Sequence, residues 1–186
     1  VELTDHRATH IVKILGSRVG HMLKLGLVEG KRGTGTITAL NIKRPHLVRM
    51  NLDLTTEKQP KPDIDLVLAL PRPIMLRRIL SQVTALGVGH IFLINANRVE
   101  KSFWEASLLE PNEYREHLLT GLEQCGDTRL PTVSQHKRFR PFVEDELPNL
   151  AAEYSSLLVA DPSGKKSINE VMNNGHKRVL LAVGPE

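Results

Sequence analysis

The feature that most constrains the fold is an uninterrupted apolar run from Leu66 to Leu70, which follows a polar segment. Strands buried on both faces, as in parallel sheets covered by helices, have continuous apolar sequences of this kind. From Met75 to Leu86, apolar residues recur at spacings of three and four, which predicts an amphipathic helix that ends at Gly87. A buried strand followed by a helix is the repeating unit of an α/β domain.

The same alternation continues towards the end of the chain. The segment from Pro111 to Gly126 predicts a helix with proline at its first position and glycine after its last. Ser167 and Glu170 have the spacing of a capping box and predict a short helix. We therefore expect an α/β fold with a mainly parallel sheet. Its further strands are predicted at His90–Ile94, Leu157–Ala160 and Val179–Val183.

The first third of the chain has a different pattern. Short apolar alternations cut by glycines fill residues 11–54, and evenly spaced short strands are typical of a small β-barrel. A helix is expected before them, at residues 6–15. Residues 57–62 read EKQPKP, a polar sequence with two prolines that is typical of a linker. The sequence thus predicts two domains, residues 1–60 and residues 63–186.

Charge separates the same two parts of the chain. Residues 1–62 contain 11 Lys and Arg against 5 Asp and Glu, a net charge of +6, whereas the whole chain has a net charge of +4. A positively charged domain is typical of a surface that faces phosphate groups, although a basic solvated surface would show the same charge. Residues 1–62 contain no Phe, Tyr or Trp. Nucleic acid would therefore be bound there through its backbone and not by base stacking.

Several classes of protein and site are not expected. There is no run of about 18 apolar residues and no visible signal peptide, so we expect a cytoplasmic protein without a membrane span. The single cysteine, Cys125, excludes an internal disulfide and is expected to be a small core residue. His6 and His10 lie one helical turn apart without a third ligand, so no metal site is predicted. The glycine-rich segment 30–35 precedes a strand instead of a helix, unlike a phosphate-binding loop.

The ends of the predicted strands hold the candidate binding residues. Ligands of α/β proteins bind beyond the carboxyl ends of the parallel strands. The last predicted strand is followed by residues 184–186, Gly-Pro-Glu, where the glycine permits close approach of a ligand to the backbone. A binding loop would begin here, so we expect a further segment after residue 186. Arg72, Arg98 and Lys101 follow the first two strands and are expected at the same edge, as an anion or ligand site.

Several short motifs resemble one known family. They are His10–Leu15 followed by Val19-Gly20, Leu70-Pro71 before the helix that leads to Leu86-Gly87-Val88, Arg98 with Ser102 nearby, Glu123-Gln124, Leu130-Pro131 as a strand start, and Val183-Gly184-Pro185-Glu186 as the first half of a Gly-Pro-Glu-Gly-Gly cofactor loop. In this order and spacing the chain resembles the bacterial 16S ribosomal RNA uridine N3-methyltransferases. These belong to the SPOUT superfamily, whose α/β domain contains a trefoil knot.

The resemblance implies a PUA-like β-barrel at residues 1–60 and a SPOUT-type α/β domain from residue 63, with a knot completed by a segment after residue 186. It implies a homodimer that transfers a methyl group from S-adenosylmethionine to N3 of a uridine in 16S ribosomal RNA, within the small ribosomal subunit. The general base is not identified, and Arg98 and Glu186 are the catalytic candidates. The expected cofactor-binding residues are Ala160, Val183, Gly184, Pro185 and Glu186. The expected RNA-binding residues are His10, Arg18, Arg72, Arg98 and Lys101.

Four positions depart from the family pattern, namely Gly16, Gln82, Ala85 and Asp127, where the family often has charged residues. Gln82, Ala85 and Asp127 favour one alternative, a non-catalytic RNA-binding or ribosome-associated protein that has kept the fold. A second alternative is an unrelated nucleotide-binding α/β enzyme, which the lack of a phosphate-loop motif disfavours.

Overall fold

A computed structural model describes residues 1–57, 60, 62–171 and 178–184. The chain divides into two compact units. The first comprises Val1–Gln59 together with Gly126–Arg129, and the second comprises Pro60–Cys125 and Leu130–Glu186. The first unit therefore includes a short segment that is far away in the sequence, which the sequence analysis did not anticipate.

The first unit is a four-stranded antiparallel sheet with one helix. Its strands have the order β1-β4-β3-β2, so β1 and β2 form the two edges. Helix α1 packs Ala8 and Ile11 against Ile37, Val48 and Met50 of the sheet to form the core. A closed, PUA-like barrel remains a prediction. The elements are β1 (Glu2–Leu3), α1 (His6–Lys13), β2 (Met22–Gly26), β3 (Arg32–Asn41) and β4 (Leu47–Thr56).

The glycine-rich segment has a structural role in this sheet. The turn lies at residues 27–30, and Gly33 is already part of β3, at a register shift between β3 and β4. A Cβ atom on Gly33 would lie 1.9 Å from the backbone oxygen of Asp53. Only glycine allows the two strands to approach this closely.

The distant segment 126–129 joins the same unit through hydrogen bonds. The Thr128 hydroxyl donates to the Gly30 carbonyl at 2.7 Å, and the Glu29 amide donates to the Thr128 carbonyl at 2.7 Å. Asp127 caps the turn, since its Oδ1 accepts from the Thr128 amide at 2.6 Å. This departure from the family pattern thus has a local structural explanation.

The second unit is an α/β domain with a five-stranded sheet in which every pair of neighbours is parallel, in the order β7-β6-β5-β9-β8. This confirms the predicted α/β fold with a sheet of parallel strands, whereas the trefoil knot stays a prediction. The residue-by-residue patterns missed β7 because its sequence, Thr-Val-Ser-Gln-His, is mostly polar; only the family resemblance indicated a strand near it. The strands are β5 (Ile64–Ala69), β6 (His90–Ile94), β7 (Thr132–His136), β8 (Ser156–Ala160) and β9 (Val179–Val183).

Helices pack on both faces of the sheet and leave the edge strand β8 largely exposed. Helices α2 and α3 pack on the face that carries Leu66, Leu68 and Ile91, and Phe142 and its neighbours cover the opposite face. One of the two bonds of the predicted capping box is present, because the Ser167 amide donates to the Glu170 carboxylate at 2.6 Å. The helices are α2 (Pro73–Ala85), α3 (Pro111–Cys125), α4 (Phe139–Pro141), α5 (Leu147–Ala151) and α6 (Ile168–Val171), with 3₁₀ turns at Lys101–Glu105 and Ser107–Leu109 and a π-helical turn at Phe142–Glu146.

The prediction for Cys125 was wrong, because this residue is exposed. The buried side of α3 is formed by Leu118, Gly121 and Leu122. Cys125 is the last residue of the helix, and its thiol donates to the Leu122 carbonyl at 3.6 Å. The apolar character of cysteine predicted a core position. Cys125 instead lies at the end of α3, outside the buried side of the helix.

A buried ion pair links the amino ends of two neighbouring strands of the sheet, β5 and β9. Asp65, 1% exposed, accepts from Arg178 Nη2 and from the Tyr154 hydroxyl, both at 2.6 Å. Arg178 Nη1 also donates to Glu153 at 2.7 Å. Burial, together with the hydrogen bond to Asp65, raises the pKa of Tyr154, so this phenol stays protonated. The network joins the start of β5 to the residues before β8 and β9.

Candidate functional site at the carboxyl edge of the sheet

The carboxyl ends of the five strands lie in register at one edge. Val183 of β9 pairs with Leu68 of β5 on one side and with Ala160 of β8 on the other. Ile94 of β6 pairs with Ala69 of β5 and with His136 of β7. On one side of β5 the next strands along the chain, β6 and β7, follow outward in order. On the other side, β9 lies next to β5, and β8, which precedes it in the chain, lies at the edge. The strand order thus reverses between β5 and β9, which is where open α/β sheets bind ligands.

Small residues and exposed backbone surround this switch point. Gly184 directly follows β9 and is exposed, and no atom lies within 4 Å of the position where its Cβ would be. Ala160 at the end of β8 is also exposed, and Val183 is half-buried. These three expected cofactor residues are therefore at adjacent strand ends, and Gly184 borders open space. Pro185 and Glu186 lie outside the described residues.

Arg72, Arg98 and Lys101 lie along the same edge, on the other side of the switch point. Arg72 precedes α2 directly after β5, and Arg98 and Lys101 follow β6; all three are exposed. Within the described part of the chain, none of them has a carboxylate partner. His10 and Arg18, the other expected RNA contacts, are exposed in the first unit.

The loop that carries Arg98 is held by its neighbours. The Trp104 indole donates to Asn95 Oδ1 at 3.2 Å, and the Asn95 amide donates to the His136 carbonyl at 3.0 Å. Leu108 and Leu109 are buried in the core, and the Gln135 amide group donates to the Leu109 carbonyl at 2.8 Å. Arg98 is thus presented by an anchored loop, as positioning of a substrate requires.

A chain of polar side chains along β6 and β7 was missed by the sequence analysis. Ser134 Oγ lies 2.9 Å from His90 Nε2 and 3.0 Å from His136 Nε2, and His136 Nδ1 lies 3.0 Å from Glu146 Oε2. Burial lowers the pKa of His90, which favours the neutral ring. The only sequence signal was the spacing of two between Ser134 and His136, which places both on one face of a strand.

The described residues contain no group of three or more His, Cys, Asp or Glu that could hold a metal ion. Over the same residues, none of the helices has both the length and the apolar character that a membrane crossing requires.

Comparison with known proteins identifies the family. Residues 57–186 match the RNA methyltransferase domain family. The chain belongs to this family. Over 157 residues it is 31% identical to the ribosomal RNA small subunit methyltransferase E of Treponema pallidum, an alignment that covers 84% of this chain and 58% of that protein. The chain thus spans less than two thirds of that relative.

Two further members extend the comparison. The ribosomal RNA small subunit methyltransferase E 1 of Borreliella burgdorferi is 23% identical over all of this chain and 75% of its own length. The crystal structure of a ribosomal RNA small subunit methyltransferase E from Neisseria gonorrhoeae, bound to S-adenosyl methionine, superposes with a TM-score of 0.69. That alignment covers 100% of this chain and 73% of that structure at 20% identity, which establishes a common fold.

Proposed function

We propose that this protein is a methyltransferase that uses S-adenosylmethionine to methylate ribosomal RNA of the small subunit, at N3 of a uridine. The observation that carries the proposal is the free space beside Gly184 at the switch point of a parallel sheet, within a domain of the RNA methyltransferase family. The names of the relatives and the cofactor in the Neisseria structure support the same activity.

The residues at the switch point fit the cofactor. Ala160 and Gly184 have little or no side chain, so a flat adenosyl group can approach the backbone at both strand ends. Backbone groups at Ala160, Val183 and Gly184 would hold the group, with Pro185 and Glu186 extending the same loop. When bound, S-adenosylmethionine supplies an electrophilic methyl group. No metal and no covalent intermediate are required.

The role of the protein is to align the uridine and to favour loss of its N3 proton. The N3 imide is a weak acid, so its nitrogen becomes nucleophilic only as the proton leaves. A guanidinium beside the base favours the anionic form and lowers its pKa. Arg98 is the candidate for this role, because it is exposed, has no carboxylate partner among the described residues and stands on an anchored loop. Glu186 is the second catalytic candidate, as the carboxylate that would accept the N3 proton while S-adenosylhomocysteine leaves.

The remaining cations would hold the RNA. Arg72 and Lys101 flank Arg98 at the sheet edge, and His10 and Arg18 belong to the basic first unit, which we propose to be a PUA-like RNA-binding domain. We also propose that the protein works as a homodimer with a knotted catalytic domain, as the family resemblance implies. Sedimentation should then show a dimer at micromolar concentration.

Calorimetric titration with S-adenosylmethionine and transfer of a labelled methyl group to small ribosomal subunits test this function. We expect both to be positive. Arg98→Ala should reduce methyl transfer by at least about tenfold while cofactor affinity stays close to that of the parent. Arg115→Ala, which removes an exposed arginine from α3, is the matched control. RNA binding without cofactor binding would support the non-catalytic alternative, which Gln82 and Ala85 favour.

A further inference from the structure

Another cationic segment lies at the carboxyl edge of the sheet, directly after edge strand β7. Residues 137–140 read Lys-Arg-Phe-Arg, and all four are exposed. Because His136 is paired in register with Ile94, the segment leaves the sheet beside the end of β6 that precedes Arg98. Cations therefore follow the ends of β5, β6 and β7 in turn, and neighbouring strands are only about 5 Å apart.

The charges of Lys137 and Arg138 are not neutralised by the acidic residues that follow. Glu144 pairs with Arg140 at 3.0 Å, and Glu146 pairs with His136 at 3.0 Å. In the part of the chain that the structure describes, Asp145 forms no ion pair, and neither Lys137 nor Arg138 has a carboxylate partner. Two adjacent cations thus remain available to an anionic ligand.

An exposed aromatic ring, that of Phe139, directly follows these two cations. Phe139 is 47% exposed, whereas Phe92 and Phe142 are buried and the other aromatic residues of the described chain are partly buried. A solvent-exposed aromatic beside unpaired cations is the combination that binds single-stranded nucleic acid, because the ring stacks on a base while the cations contact phosphates. The first unit has no aromatic residue that could do this.

The segment is fixed at both ends. His136 is held by Ser134 and Glu146, and Phe142, 1% exposed, is buried against Phe92. The Phe142 amide also donates to the Arg138 carbonyl at 3.4 Å. A ligand would therefore meet a preorganised surface and lose little entropy in ordering it.

We propose that Lys137, Arg138 and Phe139 form a binding site for a nucleotide of single-stranded RNA. Phe139 stacks on the base and the two cations contact the flanking phosphates. The proposal rests on the proposed function for the identity of the partner, and it extends the path of the RNA from Arg72 and Arg98 to the edge of the sheet.

The test measures the affinity of the protein for a fluorescein-labelled oligouridylate of about ten nucleotides, as a function of salt. Replacing Lys137 and Arg138 together by Ala should weaken binding by at least about tenfold and reduce the slope of log K against log salt by about 1.4, or 0.7 per lost phosphate contact. Phe139→Ala should weaken binding by at least about fivefold without changing that slope. Phe139→Tyr should have the affinity of the parent protein, because tyrosine keeps the ring. Arg140→Ala is the control, since Arg140 is already paired with Glu144.

Equal affinities for the parent and the double variant would overturn the proposal. A loss in the double variant without a loss in Phe139→Ala would also overturn it, because it would indicate only a surface for polyanions. Unfolding temperatures and cofactor affinity of each variant establish that the fold is intact. If the oligonucleotide results hold but the parent transfers no methyl group, the proposed function fails while the nucleotide site stands.

Discussion

At the scale of single residues, Gly184 matters most for the proposed cofactor site. It stands where β9 ends, it is exposed, and a side chain at this position would enter free space without touching the protein. A substitution there should therefore affect a ligand and leave the fold unchanged, which makes the position a sensitive probe of where the cofactor binds.

Gly184→Val should weaken S-adenosylmethionine binding by at least about tenfold, or about 1.4 kcal/mol, because a branched side chain would occupy the space of the adenosyl group. Calorimetry measures the change, and Gly184→Ala should give a smaller loss. The temperature of unfolding and the affinity for RNA should stay at the parent values. Normal cofactor affinity in the valine variant would mean that the cofactor does not bind beside this residue.

His90 should make the stability of the protein sensitive to acid. Burial holds the pKa of His90 below its ordinary value of 6.5, so the unfolded chain takes up a proton that the folded protein resists. The free energy of unfolding should therefore be fully maintained above pH 6.5 and should decrease as the pH falls below it.

Urea unfolding at several pH values between 5 and 8 measures this dependence. His90→Gln, which cannot titrate in this range, should show a flatter decrease than the parent protein. An identical decrease in both proteins would assign the acid sensitivity to other histidines.

At the scale of secondary structure elements, the starts and ends of the strands have different roles. The carboxyl ends of the sheet carry small residues and unpaired cations, which suits binding. The amino ends are closed by the Asp65–Arg178 ion pair and the Tyr154 hydroxyl, which connect β5 to the residues before β8 and β9. The ion pair thus holds together the strands whose other ends form the switch point.

Asp65→Asn should lower the free energy of unfolding by about 3 kcal/mol or more, because it leaves the largely buried Arg178 without its main partner. The matched control is Glu153→Ala, which removes the other carboxylate on Arg178. Glu153 is 55% exposed, so its loss should change the free energy of unfolding by less than about 1 kcal/mol. Urea unfolding distinguishes the two, and equal losses would contradict the assignment of Asp65 as the main partner.

At the scale of the whole molecule, the two units divide the work of the proposed enzyme. The first unit carries the excess of positive charge, and the second carries the sheet edge where the cofactor is proposed to bind. Deleting residues 1–60 is not a clean test of this division, because the segment 126–129 belongs to the first unit and would lose the Gly30 and Glu29 contacts. Point substitutions on the exposed surface are the better choice.

Replacing Arg18 and Lys24 together by Ala should reduce the slope of log K against log salt for RNA by about 1.4 and leave cofactor affinity unchanged. Both side chains are exposed, and neither has a carboxylate partner in the part of the chain that the structure describes. Arg49→Ala is the control, since Arg49 is paired with Glu2. If the double variant and the control have the same salt dependence, the first unit does not contact RNA through these cations.

The sequence by itself determined the elements with strong apolar patterns. Continuous apolar runs identified β5, β6 and β9, and the spacing of apolar residues between Pro71 and Gly87 identified α2, because buried faces select apolar residues. The apolar run of β8 also predicted a strand, although this strand lies at the edge of the sheet with Leu157 and Val159 exposed. The candidate residues Arg72, Arg98 and Gly184 followed from the same reasoning, since the carboxyl ends of parallel strands meet at one edge.

Only the tertiary structure decided the features that depend on residues far apart in the sequence. The polar strand β7 pairs with β6, and its side chains Gln135 and His136 have partners on other elements. The segment 126–129 belongs to the first unit through hydrogen bonds across about 100 residues. Strand order fixed the switch point between β5 and β9, and it placed the Lys137–Phe139 segment at the same edge as Arg98. Such contacts leave no local period in the sequence, because they depend on which strands become neighbours in the folded sheet.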